Sequence, residues 1–203
     1  MLSLTDNNEN NAIIINNTKY YLDLRYPTVL KWFEVMDSDQ YDDLEKLSIT
    51  FSLFIGNIEE QLTIEQLSSA VKAISTLITK QPYGSKEEGG VGSIPNRLFS
   101  YKKDADAIYA SFMYDYGIDL LKNKSMSWFK FSALFNNLSS ESPIMRIISI
   151  RKRDTSKIED VEERQSVEEA QNYYALDRRP QREVFIAQQN ALGSALLNAA
   201  RGK

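Results

Sequence analysis

Residues 109–151 read YASFMYDYGIDLLKNKSMSWFKFSALFNNLSSESPIMRIISIR, and this stretch decides the fold. Its large apolar residues return every three or four positions, which is the period of one helix face rather than the alternation of a strand. Ile108, Tyr109, Phe112 and Tyr116 make the stripe of a helix over about 104–116, closed by Gly117. Ser127 is placed to cap a second helix whose inner face is Trp128, Phe131, Leu134, Phe135 and Leu138. Ser142-Pro143 starts a third, an N-cap followed by proline at the first helical position, and Ile144, Ile147, Ile148 and Ile150 follow. These helices are dense in bulky apolar groups, so the core is expected here. The aromatics Tyr109, Phe112, Tyr116, Trp128, Phe131 and Phe135 are read as packing residues in preference to a ligand pocket.

Upstream, residues 82–96 carry Pro82, Gly84, Gly89, Gly90, Gly92 and Pro95 and are expected to be a mobile loop. The run GSKEEGGVGS lacks the spacing of a phosphate-binding loop and follows no strong strand. Before it lie three further helical patterns. Pro27 stands near the first turn of one, with Val29, Trp32, Val35 and Met36 at helical spacing. Leu44, Leu47, Phe51, Phe54 and Ile55 form the next stripe, with Gly56 as its C-cap. Thr63 and Gln66 have the spacing of a capping box ahead of Leu67, Val71, Ile74 and Ile78. Nearer the start, Ala12–Ile15 and Tyr20–Leu22 flank Asn16-Asn17-Thr18-Lys19, which predicts a hairpin that must pack on helices to be stable.

Downstream the composition changes. Residues 151–182 are charge-rich, Pro180 breaks the pattern, and a last helix is expected over about 181–200, with Phe185, Leu192 and Leu196 on one side. The expected fold is mostly α: a helical domain over 1–155 with an N-terminal hairpin, and a charged helical extension over 156–203. That extension has too few large apolar residues to build a core. It is either a solvated appendage or a segment that docks on a partner through a narrow apolar stripe. The candidate partner-binding residues are Tyr173, Tyr174, Phe185, Leu192 and Leu196.

Composition narrows the chemistry. The 203 residues include no cysteine and no histidine. Disulfides, thiolate nucleophiles, Ser-His-Asp and Cys-His catalysis and most zinc sites are therefore excluded. Carboxylate-only or lysine-based catalysis stays open, but no catalytic, cofactor-binding or metal-ligating residue is nominated, and the chain is not expected to be an enzyme. Asp104, Asp106, Asp115 and Asp119 flank one helix and are read as solvated ends and caps rather than metal ligands. A net charge of −4 gives no global attraction to nucleic acid. The best local basic group is Arg146, Arg151, Lys152 and Arg153, read first as cations at a helix C-terminus. Residues 1–18 lack the cationic start and apolar run of a secretory leader. No stretch reaches the ~20 apolar residues of a membrane helix, and no membrane partner is expected.

Three segments together carry a resemblance. Residues 109–120 (YASFMYDYGIDL), 126–134 (MSWFKFSAL) and 147–151 (IISIR), with Tyr21-Leu22-Asp23-Leu24 ahead of Leu30 and Phe33, are similar to the bacteriophage Gp-fifteen family, over about residues 12–155. The combination is specific, whereas each piece alone is weak. The resemblance implies a small protein of tailed phages and prophages of Gram-positive bacteria. Its gene position is that of a tail-assembly chaperone, which would bind the tape measure protein and recruit major tail protein subunits in the host cytoplasm, and would be absent from the mature virion. It supplies no catalytic residues. Two alternatives stay open: a structural tail or connector component, and a nucleic-acid-binding regulator resting on Arg151–Arg153. Self-association is also open.

Overall fold

A computed structural model describes residues 5, 11–57, 62–79 and 98–176. In chain order these form β1 (Ala12–Ile15), β2 (Thr18–Tyr21), α1 (Tyr26–Asp37), α2 (Asp43–Ile55), α3 (Ile64–Thr79), α4 (Ala105–Tyr116), α5 (Trp128–Asn136), α6 (Pro143–Lys152), a single 3-10 turn at Thr155–Lys157, and α7 (Val161–Tyr173). The protein is mostly helical with a small N-terminal hairpin, as the periodicity predicts. The glycine-rich run at 82–96 and the helix expected over 181–200, with Phe185, Leu192 and Leu196, lie outside the described residues.

The described residues fall into two compact units, and the boundary between them passes through α5. Unit 1 holds the hairpin, α1 to α3, residues 124–127 and the start of α5. The hairpin pairs Ala12 with Tyr21, Ile13 with Tyr20, Ile14 with Lys19 and Ile15 with Thr18. Its turn residues Asn16 and Asn17 both have positive φ, 50° and 61°. This geometry matches strand twist, and asparagine tolerates it better than any residue but glycine. Alternation then sends Ile13, Ile15 and Tyr20 inward, onto a cluster with Phe51 of α2 and Ala70 of α3. Ile14 and Tyr21 face out.

In α1, Pro27 occupies the first turn and Tyr26, Val29, Trp32, Val35 and Met36 are buried. Asp42 and Glu45 close a capping box on α2, and Thr63 and Gln66 close the expected one on α3, at 2.8 and 3.3 Å. Leu47, Phe51 and Phe54 face inward as expected, whereas Leu44, in the first turn of α2, is half exposed. The buried Trp32 Nε1 donates to Thr50 Oγ1 (3.1 Å), and that hydroxyl donates to the Lys46 carbonyl (2.6 Å), so both polar groups are satisfied inside the core. An isolated bridge between Arg25 and Ser127 sets the start of α5 beside the start of α1: Tyr26 N donates to Met126 O and Trp128 N to Leu24 O. Trp128 and Phe131 then stack near Phe33 and Tyr26, and Trp128 Nε1 donates to the Ile78 carbonyl near the end of α3 (3.0 Å).

Unit 2 holds residues 98–123, the end of α5, α6 and α7. Its buried apolar helix residues are Ile108 and Phe112 of α4, Phe135 of α5 and Ile144 and Ile148 of α6, fewer than the helices of unit 1 bury, so more of the core lies ahead of residue 80 than in the stretch where it is expected. Ser111 Oγ, fully buried, accepts from Ile144 N (2.9 Å) and donates to the Ala107 carbonyl (2.6 Å). The first of these bonds satisfies one of the amides that a helix N-terminus leaves unpaired. Ser142 occupies the N-cap of α6 but makes no side-chain cap bond; its hydroxyl donates to the Ser139 carbonyl instead. Gly117 ends α4 in the left-handed region, with Gly117 N bonded to Met113 O and Ile118 N to Phe112 O. Phe99, Tyr101 and Phe135 form a ring cluster with centroids 4.8–5.6 Å apart. The aromatic stripe expected to line one core is thus divided: Trp128 and Phe131 pack in unit 1, and Phe112, Tyr116 and Phe135 belong to unit 2.

Candidate functional site

The charged residues of unit 2 carry its main chemistry. Asp104 precedes α4 and does not cap it with its side chain. Its carboxylate accepts from Ser100 N (2.8 Å) and takes both ends of the Arg151 guanidinium, at 2.8 and 2.7 Å. The Arg151 Nη1 also donates to the Leu98 carbonyl, and Nε donates to the Tyr174 carbonyl, both at 2.8 Å. The two side chains are 5% and 8% exposed. This fork-on-fork pair is desolvated, with every strong donor direction used but one, and it offers no charge to a ligand.

The other members of the basic group are dispersed. Arg146 pairs with Glu141. Arg153 pairs with Glu163 at the start of α7, rather than with Asp154, which holds Lys157. Lys152 is exposed. The four cations therefore do not form one surface: Arg151 points into an internal ion pair, and two of the rest are matched by neighbouring carboxylates.

The acidic residues near α4 also serve separate ends. Asp115 accepts from the amide and hydroxyl of Ser139, each at 2.7 Å, and Asp119 pairs with Lys122. Among the described residues, no three carboxylates come together as a metal site would require. In unit 1, two hydrogen bonds from the Arg25 guanidinium hold the Asp23 carboxyl below its usual range, with the Arg25 amide and the Thr28 hydroxyl donating two more. Burial pushes the Tyr101 hydroxyl well above its usual range.

What the described residues present outward is apolar at a few defined places. Ile14 and Tyr21 stand on the outer face of the hairpin, 74% and 72% exposed, and Lys19 lies over the Tyr21 ring. Met113 and Tyr114 are exposed on α4, and Leu121 follows them. On α7, Tyr173 is 80% exposed, whereas Tyr174 is half-buried with its ring edge-on to Tyr173 at 4.9 Å. The two tyrosines nominated together thus play different parts: one faces solvent, and the other turns inward and gives its carbonyl to Arg151. Alternation alone does not reveal Ile14 and Tyr21 as the outward residues, because Ile13-Ile14-Ile15 and Tyr20-Tyr21 place apolar groups on both faces of the hairpin. Among the described residues, no helix is long and apolar enough to cross a membrane.

Fold and surface together define a mostly helical protein of two compact units, with its strongest ion pair buried and isolated apolar groups left on a hairpin face and on helix α4. The family model described as Bacteriophage Gp15 protein matches residues 7–176, and the chain belongs to that family. It is a phage protein, and membership suggests a role in phage structure or morphogenesis. The match runs past residue 155 and takes in α7, so this helix is part of the family's common region. No curated protein and no solved structure matches the chain.

Proposed function

We propose that this protein is a phage tail-assembly chaperone. It binds the tape measure protein, keeps that long helical chain soluble, and recruits tail-tube subunits in the host cytoplasm. It catalyses no reaction and leaves before the particle is complete. The observation that carries this reading is the set of exposed apolar side chains on regular elements, Ile14 and Tyr21 on the hairpin and Met113 and Tyr114 on α4, in a chain of this phage family. Such groups suit reversible cover of apolar stripes on a helical partner, because contact removes both surfaces from water. Tyr173 and the sequence beyond it, with Phe185, Leu192 and Leu196, extend the same chemistry.

The test is co-expression with the tape measure protein of the same phage. The expected result is higher solubility of that protein, co-purification of the two, and loss of both on Ile14→Asp with Tyr114→Asp. No gain in solubility and no co-purification overturn the proposal. Stoichiometric presence of the chain in purified particles, read by mass spectrometry, also overturns it and assigns a structural role instead.

A further inference from the structure

We propose that residues 158–176, which carry α7, form a strap that opens from α6 as one unit while α4 and α6 stay folded. The strap buries little apolar surface: Ile158 and Leu176 near its ends and the apolar members of one α7 face are half-buried and none is deeper. The half-buried line of α7 is Arg164, Val167, Ala170, Gln171 and Tyr174, a single helix face with only three apolar members, one of them alanine. By contrast, α4 and α6 bury Ile108, Phe112, Ile144 and Ile148.

Hydrogen bonds at its C-terminal end hold the strap. Gln171 Nε2 donates to the carbonyls of Ile150 (2.9 Å), which also accepts from Arg153 N, and of Arg153 (2.7 Å), at the C-terminal end of α6. Lys103 Nζ donates to the Ala175 carbonyl (2.7 Å), and Arg151 Nε to the Tyr174 carbonyl. At the other end stands the exposed Arg153–Glu163 pair, a weak contact in water. Water replaces such bonds at small net cost, whereas it cannot replace apolar packing.

Two features let the strap open without disturbing what lies under it. The bidentate grip of Arg151 on Asp104 and its bond to Leu98 use Nη1 and Nη2, so only Nε is released. The strap also has its own start signal, with Asp160 accepting from Glu163 N (2.8 Å). A helix of 13 residues is marginal alone in water, so detachment and unfolding of α7 are one event. Closed, the strap covers the carbonyl end of α6. Open, it leaves the Ile150 and Arg153 carbonyls and the Arg151 Nε–H to water. This device stands independently of the chaperone reading.

Hydrogen exchange of the full chain, followed by mass spectrometry, tests it. The amides of 161–173 are expected to exchange about a hundredfold or more ahead of those of α4 and α6, as a local opening does relative to a global one. Gln171→Ala removes two bonds and is expected to speed exchange of α7 about tenfold, with α4 and α6 unchanged; Lys103→Met removes one and is expected to speed it about fivefold. Equal exchange of α7 and α6 in the unaltered protein overturns the proposal, as does a variant that speeds all three helices together.

Discussion

Replacing Arg151 with methionine is the sharpest test of how unit 2 is held. Methionine keeps an unbranched stem of similar reach and deletes the guanidinium. The Asp104 carboxylate, 5% exposed, then keeps Ser100 N but loses both charged donors, and the carbonyls of Leu98 and Tyr174 lose theirs. Removing one partner of a buried, hydrogen-bonded pair costs about 3–5 kcal/mol, because the other charge is stranded. With a urea dependence of roughly 2 kcal/mol per molar, the unfolding midpoint read by far-UV circular dichroism falls by about 2 M. Arg153→Met is the control. Its pair with Glu163 has both side chains about half exposed, so its loss costs less than about 1 kcal/mol. The double variant Arg151→Met with Asp104→Leu removes both charges and is expected to recover a large part of the loss, since apolar replacements of a buried pair are often neutral. If Arg151→Met costs no more than Arg153→Met, the pair is not desolvated and the reasoning fails.

Three further outcomes follow from single groups. Thr50→Val strands the buried Trp32 N–H and is expected to cost about 1–3 kcal/mol, read by urea unfolding. Gly117→Ala meets nothing within 4 Å, so its cost is backbone strain alone at φ 63°, about 1 kcal/mol; Gly117→Asn is expected to cost less, and thermal melts of the pair check the order. Asp23 has a folded pKa below its unfolded value because Arg25 binds the charged form. Its stabilising contribution is therefore complete above the ordinary carboxylate range near pH 4 and is lost as pH falls through the depressed value. Carbon-detected titration of the Asp23 carboxyl is expected to show this lowered midpoint, and Arg25→Ala should return it to the ordinary range.

Local rules carried the helices. Val29, Trp32, Val35 and Met36 are buried at the spacing that predicts α1, Thr63 and Gln66 cap α3, and Asn16-Asn17 turn the hairpin. The same capping spacing, Asp42 with Glu45, stood in the sequence ahead of α2. Leu44 misled because a first-turn residue can satisfy the helical period and still lie beyond the core edge. Contacts between distant segments were not legible. Asp104 and Arg151 stand 47 residues apart, and nothing in either neighbourhood distinguishes a buried ion pair from a helix cap and a surface cation. The aromatic stripe looked continuous because periodicity records which side of a helix is apolar, and not which core each side chain enters. The outward apolar residues are the obverse case: Tyr114 sits within an aromatic-rich run, and only the fold shows that its ring is left in water.

The chain has two tryptophans, Trp32 and Trp128, and both lie in unit 1 with their indole N–H groups bonded inside it. Intrinsic indole emission is therefore a built-in optical reporter of unit 1. Tyrosines lie in both units, Tyr20, Tyr21, Tyr26 and Tyr41 in unit 1 and Tyr101, Tyr109, Tyr114, Tyr116, Tyr173 and Tyr174 in unit 2, so only the indole signal is specific to one of them. A melt followed by indole emission and by far-UV circular dichroism, which sums the helices of both units, separates the unfolding of unit 1 from that of the rest without any label.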